Sequence, residues 1–169
     1  MELKEFFLTQ LEREAPISRR VLQQVPEGHD DWKPHDKSMP LGYLANLVAS
    51  MPSWITMTVK QDELDMKPEG DSSFAPKALH TAKELVAAHD GHVAVAREAL
   101  KNTNEEHLMK LWRLKVSGKV VNEEPRYVML ADSVFSHLAH HRGQLTVYLR
   151  LNEAKVPSIY GPSADERTF

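Results

Sequence analysis

Two histidines in the C-terminal third of the chain have the spacing of a shared metal site. His137 and His141 lie four residues apart within the stretch 136–145. On an α-helix, residues i and i+4 share one face, so both imidazoles can reach a single ion. Because imidazole nitrogen is a common ligand of zinc and nickel, the pair is a candidate metal site. Two core histidines bonded to neighbouring polar groups are the alternative.

The helix that carries the pair is expected to turn both histidines into the protein. Apolar residues recur at helical spacing on either side of them and complete one stripe: Leu130, Val134, His137, His141, Leu145 and Tyr148. Such a stripe is typical of the buried face of an amphipathic helix. An imidazole buried without a partner costs free energy. Each histidine therefore requires a hydrogen-bond partner or a metal.

The composition predicts a globular protein of one domain, residues 1–169. Hydrophobic residues make up 41% of the chain and charged residues 27%, and the net charge is −3. These values give no broad attraction to nucleic acid or to an anionic membrane. No apolar run approaches the roughly 18 residues of a transmembrane helix, and the N-terminus lacks a signal-peptide pattern. Because the chain has no cysteine, disulfides and thiolate ligands are excluded, and a cytoplasmic protein is expected.

Helical periodicity extends over most of the length. It predicts four long helices, over residues 2–24, 40–60, 77–101 and 125–151. Pro16 is expected to kink or split the first helix, and Ser38 is a suitable N-cap for the second. Pro125 suits the first turn of the last helix.

Residues 111–121 change to an alternation of apolar and polar side chains, with Ser117-Gly118 as a plausible turn. This pattern predicts a short β-hairpin or an extended insert. Together with the four helices, it predicts an all-α protein, a four-helix bundle with that insert before the last long helix.

The remaining polar residues of these helices have structural explanations. Three histidines of the third helix stand among charged residues, and a solvated face is expected for them: His80, His89 and His92. The apolar residues of that helix are Leu85, Val86, Val93, Val95 and Leu100. Arg142 is expected to pair with a carboxylate, either Asp132 or one on another helix.

The histidine pair belongs to a longer motif. His137-x-x-x-His141-Arg142-Gly143-Gln144 resembles the signature of the DinB-like (YfiT-like) superfamily of bacterial four-helix-bundle proteins. Two further segments are similar to that family: residues 32–45, which resemble its entry into the second helix, and residues 157–166, which resemble a tail in one of its branches. The resemblance covers essentially the whole chain.

The resemblance implies a divalent metal, such as zinc or nickel, held by one histidine of the second helix and two of the last. His137 and His141 match the latter two. The second-helix histidine is expected three residues after Leu44, where this chain has Leu47, and an alignment shifted by one residue gives Asn46. Because a catalytic zinc typically has three protein ligands and an amide oxygen is a poor ligand for it, the metal is expected to be weakly bound or absent.

Three functions are consistent with these residues. The resemblance implies a metal-dependent transferase that uses a low-molecular-weight thiol, with Trp54 and Tyr160 shaping its substrate cleft. The alternative is a non-catalytic small-ligand-binding or stress-associated module that has lost the metal, with Leu47 beside the histidines in its pocket. A purely structural homo-oligomer is the third. The resemblance also implies a homodimer, which fits all three.

Overall fold

A computed structural model describes residues 2–68 and 78–167. Over these ranges the chain is mostly helical, with a small three-stranded sheet. In chain order the elements are α1 (Leu3–Leu22), α2 (Leu41–Lys60), β1 (Glu63–Asp65), α3 (Ala82–Lys101), α4 (Glu105–Met109), β2 (Leu111–Val116), β3 (Lys119–Pro125), α5 (Arg126–Met129), a π-helical segment (Leu130–Ser136) and α6 (His137–Leu151). The predicted start of the third helix, at residue 77, lies outside the described residues.

The long helices pack on one another through their apolar stripes. Helix α2 packs against α3 and α6, and α1 packs against α3. Two clusters of buried side chains fill the space between them. One includes Val21, Leu44, Leu85 and Leu145, and the other includes Phe7, Leu11, Ile55, Val93 and Leu130. The stripe predicted on the last helix therefore faces the core.

The last long helix is built from three pieces in one continuous right-handed path. The backbone stays in the αR region at Leu130, where α5 meets the π-helical segment, and at Ser136, where that segment meets α6. The predicted helix is thus confirmed in its extent. Its π-helical stretch, which ends directly before His137, was not predicted. Such stretches are frequently found at functional sites.

Two expectations about the helices are wrong. Pro16 does not split the first helix in two, because α1 continues through it as one helix. Helix α2 begins after Pro40, which occupies the N-cap position, so Ser38 does not cap it. The start of α3 is set by a capping box between Thr81 and Glu84.

The predicted hairpin is confirmed as β2 and β3, which pair in antiparallel fashion. Its turn residues, Ser117 and Gly118, both have positive φ, 49° and 74°, as a type I′ turn requires. The short strand β1 adds in parallel beside β2. From β1, the Asp65 carboxylate accepts hydrogen bonds from the backbone N–H groups of Ser117 and Gly118, at 3.0 and 2.7 Å.

A buried arginine joins this sheet to the helices. The Arg126 side chain, 1% exposed, donates to four backbone carbonyls and one carboxylate: those of Thr58, Gln61, Lys110 and Leu111, and that of Asp62. The guanidinium thereby holds the C-terminal end of α2 against the start of the hairpin. Among the described residues, no helix is both long and apolar enough to cross a membrane.

Candidate functional site

His137 and His141 lie against each other at the start of α6. Their Nε2 atoms are 2.7 Å apart, within the range of a hydrogen bond, and their ring centroids are 4.5 Å apart. His141 is only 8% exposed, whereas His137 is half-buried. The spacing therefore brings the two imidazoles together as predicted, in direct contact.

Gln144 fixes the orientation of the buried ring. The Nδ1 atom of His141 is 2.8 Å from the amide oxygen of Gln144. Because a carbonyl oxygen only accepts, Nδ1 carries a proton and donates it to this bond. The Nε2 atom of neutral His141 is then an acceptor, and the Nε2–H group of His137 donates to it. One proton thus links the pair.

The surroundings of His141 favour its neutral form. Burial is the largest influence and lowers its pKa, and the neighbouring His137 and His140 lower it further by charge repulsion, while the Gln144 hydrogen bond opposes both. A neutral imidazole is the form that offers a lone pair to a ligand or a hydrogen-bond donor.

Aromatic rings cover both histidines. Trp54 of α2 lies beside the pair, with 5.5 Å between its ring centroid and that of His137. The exposed His140 meets His141 edge to face at 4.9 Å. Leu47 lies on α2 two turns before Trp54 and packs, half-buried, against the cluster that contains Leu138.

The Asn46 side chain forms hydrogen bonds with backbone groups. Its amide group donates to the carbonyls of Gly42 and Leu79, at 2.8 and 2.9 Å. Its oxygen accepts the backbone N–H of Leu79 at 3.0 Å. Both ends of the side chain therefore tie α2 to the segment that precedes α3.

Arg142 of α6 and Tyr160, which follows α6, form a separate hydrogen-bonded cluster against α1. Arg142 is 1% exposed and donates to the Ser18 hydroxyl at 3.0 Å and to the Glu14 carboxylate. The Tyr160 hydroxyl donates to the same carboxylate at 2.8 Å and accepts from Arg142. Arg142 thus pairs with a carboxylate of another helix, one of the two expected arrangements. Tyr160 is expected from the sequence to line the pocket. The structure places its hydroxyl in this hydrogen-bonded cluster.

The donor set at the pair does not fit a three-histidine metal centre. In the ranges 2–68 and 78–167, no group of three or more His, Cys, Asp or Glu side chains is placed to hold an ion. Two nitrogens bound tetrahedrally to zinc at about 2.05 Å would be roughly 3.3 Å apart, so the rings at 2.7 Å would have to separate. On α2, Leu47 offers no lone pair.

One buried histidine was missed by the sequence reasoning. His89 of α3 is 1% exposed, so its predicted solvated position is wrong. Its Nδ1 atom lies 3.4 Å from a carboxylate oxygen of Asp90, and its Nε2 atom has no hydrogen-bond partner in the described part of the chain. The sequence does carry a signal for the burial of His89. The residue lies four positions after Leu85 and four before Val93, on the buried face of α3.

Comparisons with known proteins agree on one family. The sequence model of the DinB family matches residues 3–168. A DinB-like protein from Bacillus cereus is similar in structure, with a TM-score of 0.69, 21% identity, and coverage of 92% of this chain and 97% of that one. A DinB-like protein from Bacillus subtilis, YjoA, has a TM-score of 0.66 and 16% identity, with 96% and 99% covered. At these identities the likeness shows the fold alone. No curated protein sequence matches the chain.

Proposed function

The chain belongs to the DinB family, and from that premise we propose that it is a small-ligand-binding member without a resident catalytic metal. The observation that carries the proposal is the 2.7 Å contact between the Nε2 atoms of His137 and His141. In this arrangement the lone pair on Nε2 of His141 accepts the hydrogen bond that His137 donates. The hydrogen bond supplies the partner that a buried imidazole needs.

The position on α2 supports the same proposal. Leu47 stands where the family resemblance implies the third histidine, and it packs against the apolar core. Two imidazoles on one helix make a weaker site than three ligands from two helices. A leucine in place of the third favours an apolar ligand group over an ion.

The ligand would have a polar and an apolar part. Its polar group would exchange hydrogen bonds with half-buried His137, and its apolar part would lie against Trp54 and Leu47. We further propose that α1, α2, α3 and the last long helix form a four-helix bundle, since each packs on at least two of the others. A homodimer and a cytoplasmic location stay predictions.

A metal-dependent, thiol-using transferase is the second candidate. One observation favours it: the hydrogen bond from His141 Nδ1 to Gln144 is the kind of contact that commonly orients metal-ligating histidines. In that case His137 and His141 would hold zinc or nickel with an additional ligand from outside the chain. The metal would supply an activated thiolate.

Metal content separates the two candidates. The protein is purified without a histidine tag, and zinc and nickel are measured by mass spectrometry beside a His141→Ala variant. We expect background metal in both proteins, because the donor set is incomplete. Near-stoichiometric metal in the unmodified protein that disappears in His141→Ala would overturn the proposal and support the transferase. Circular dichroism checks that the variant is folded.

A further inference from the structure

The histidine pair and Gln144 form a chain of hydrogen bonds that all point in one direction. The amide oxygen of Gln144 accepts from Nδ1 of His141 at 2.8 Å. A neutral imidazole carries one N–H group, so Nε2 of His141 is bare and accepts from Nε2 of His137 at 2.7 Å. This bond uses the single proton of His137, and its Nδ1 atom keeps a lone pair. The amide at one end of the chain therefore fixes the polarity of the nitrogen at the other end.

The Nδ1 atom of His137 is open to a ligand. Among the residues that the structure describes, no group donates a hydrogen bond to it. The buried side-chain nitrogens and oxygens without a partner in the described part of the chain belong to Thr56, His89, Thr103 and Trp112. Because Nδ1 of His137 also lacks a partner and is not one of these atoms, solvent reaches it. A group that binds there must supply the proton of the hydrogen bond.

An aromatic side chain flanks the ring of His137. The ring centroid of Trp54 lies 5.5 Å from that of His137, and the tryptophan is partly buried against both apolar clusters. A ligand that reaches His137 therefore meets the apolar surface of the indole as well. Aromatic rings interact favourably at such distances, so a ring suits this position.

We propose that the ligand of the histidine pair is a neutral aromatic alcohol, whose hydroxyl donates to Nδ1 of His137 and whose ring lies against Trp54. This inference rests on the small-ligand function proposed above and adds the class of ligand. A carbonyl in the same place would face the lone pair of Nδ1 with a lone pair of its own, and both groups would lose their bonds to water. Gln144 is a positioning residue, which sets the preference for a donor through the two rings.

Two probes with one carbon skeleton test the proposal. The hydroxyl of 1-phenylethanol donates a hydrogen bond, whereas the carbonyl of acetophenone only accepts. Binding to the full chain is followed by the NMR shifts of the His137 and His141 ring protons, with EDTA present, at pH 8, above the ordinary histidine pKa of about 6.5. We expect the alcohol to bind at least about tenfold more tightly than the ketone.

Two results of this titration would overturn the inference. One is a failure of 1-phenylethanol to shift the ring protons at millimolar concentration. The other is binding of acetophenone at the pair that is as tight as that of the alcohol, which would leave the small-ligand function standing. Near-stoichiometric metal in the purified protein would instead remove the proposed function itself.

A variant that reverses the chain tests the role of Gln144. Gln144→Lys replaces the accepting amide oxygen with an ammonium that donates, so Nδ1 of His141 must accept and Nδ1 of His137 becomes a donor. We expect the ratio of alcohol to ketone affinity to fall at least about tenfold. Long-range proton–nitrogen NMR spectra should show the proton of His137 on Nε2 in the unmodified protein and on Nδ1 in the variant.

Val147→Lys is the matched control for this variant. It adds the same charge to α6 at a position that is 56% exposed, and it should keep both the preference for the alcohol and the proton on Nε2 of His137. An unchanged preference in Gln144→Lys, or a proton on Nδ1 of His137 in the unmodified protein, would contradict the proposal.

Discussion

At the scale of single residues, the chemistry of the site depends on which nitrogens carry protons. Gln144 holds Nδ1 of His141 in a donor role, and this leaves Nε2 for His137. The amide thereby fixes a tautomer that solvent alone would leave divided between two forms. The geometry of the pair is therefore set by three side chains on two turns of α6, those of His137, His141 and Gln144.

Replacing Gln144 with glutamate should change the titration of the buried ring. A carboxylate that accepts the Nδ1 proton stabilises imidazolium, so we expect Gln144→Glu to raise the pKa of His141 by about one unit or more. The ring-proton shifts of His141, followed by NMR against pH, measure it. Gln23→Glu, at the exposed end of α1, is the control. An unchanged pKa in Gln144→Glu would show that Gln144 does not hold the ring.

At the scale of elements, Arg126 connects parts of the chain that lie far apart in sequence. Its planar guanidinium points several N–H groups at carbonyls from α2 and from the start of the hairpin. A buried carbonyl that loses its hydrogen-bond donor is left without a partner and without water, which destabilises the folded state. The joint between α2 and the sheet should therefore be sensitive to this one side chain.

Arg126→Lys tests that joint. Lysine keeps the charge but lacks the planar fork, so several carbonyls lose their donors. We expect the free energy of unfolding to fall by roughly 3 kcal/mol, measured by urea denaturation followed by circular dichroism. Arg113→Lys, which changes an exposed ion pair with Glu123, is the control and should have little effect. Equal losses in both variants would contradict the role given to Arg126.

Much of the fold could be predicted because it depends on local signals. The stripe through His137 and His141 and the turn at Ser117-Gly118 each follow from spacing or from turn preference. Strand β1 could not be predicted, since three residues carry no periodicity and its pairing with β2 is a long-range contact. The bonds of Arg126 and the contact between Tyr160 and Glu14 were missed for the same reason.

At the scale of the whole molecule, several buried or half-buried histidines make folding depend on pH. His89, His92 and His141 each have a pKa below the ordinary 6.5, with burial as the largest cause. The unfolded chain therefore binds protons more tightly than the folded one at these positions. The resulting stability is complete above about pH 6.5 and is lost as the pH falls below it.

Urea unfolding at pH 7.5 and at pH 5.5 measures this loss. We expect lower stability at pH 5.5, by at most about 1.4 kcal/mol per pH unit for each histidine. Carboxylates with lowered pKa values, such as Glu12 beside Arg97, act at lower pH and do not confuse the comparison. His89→Leu should reduce the pH dependence, whereas His35→Leu, at an exposed position in the loop before α2, should not. Stability that is equal at both pH values would contradict the assignment.

We propose that the histidine pair is what remains of a family metal site that lacks its ligand from α2. Leu47→His tests it most directly, because it restores an imidazole at the position that the resemblance assigns to the third ligand. Zinc affinity is measured by competition with a chromogenic chelator, in proteins without a histidine tag, with His141→Ala in the Leu47→His background as the control. We predict that Leu47→His binds zinc at least about a hundredfold more tightly than the unmodified protein, in line with the gain of one imidazole ligand, and that His141→Ala abolishes the gain. Equal zinc affinity in the unmodified protein and in Leu47→His would contradict the proposal that Leu47 occupies the position of the missing ligand.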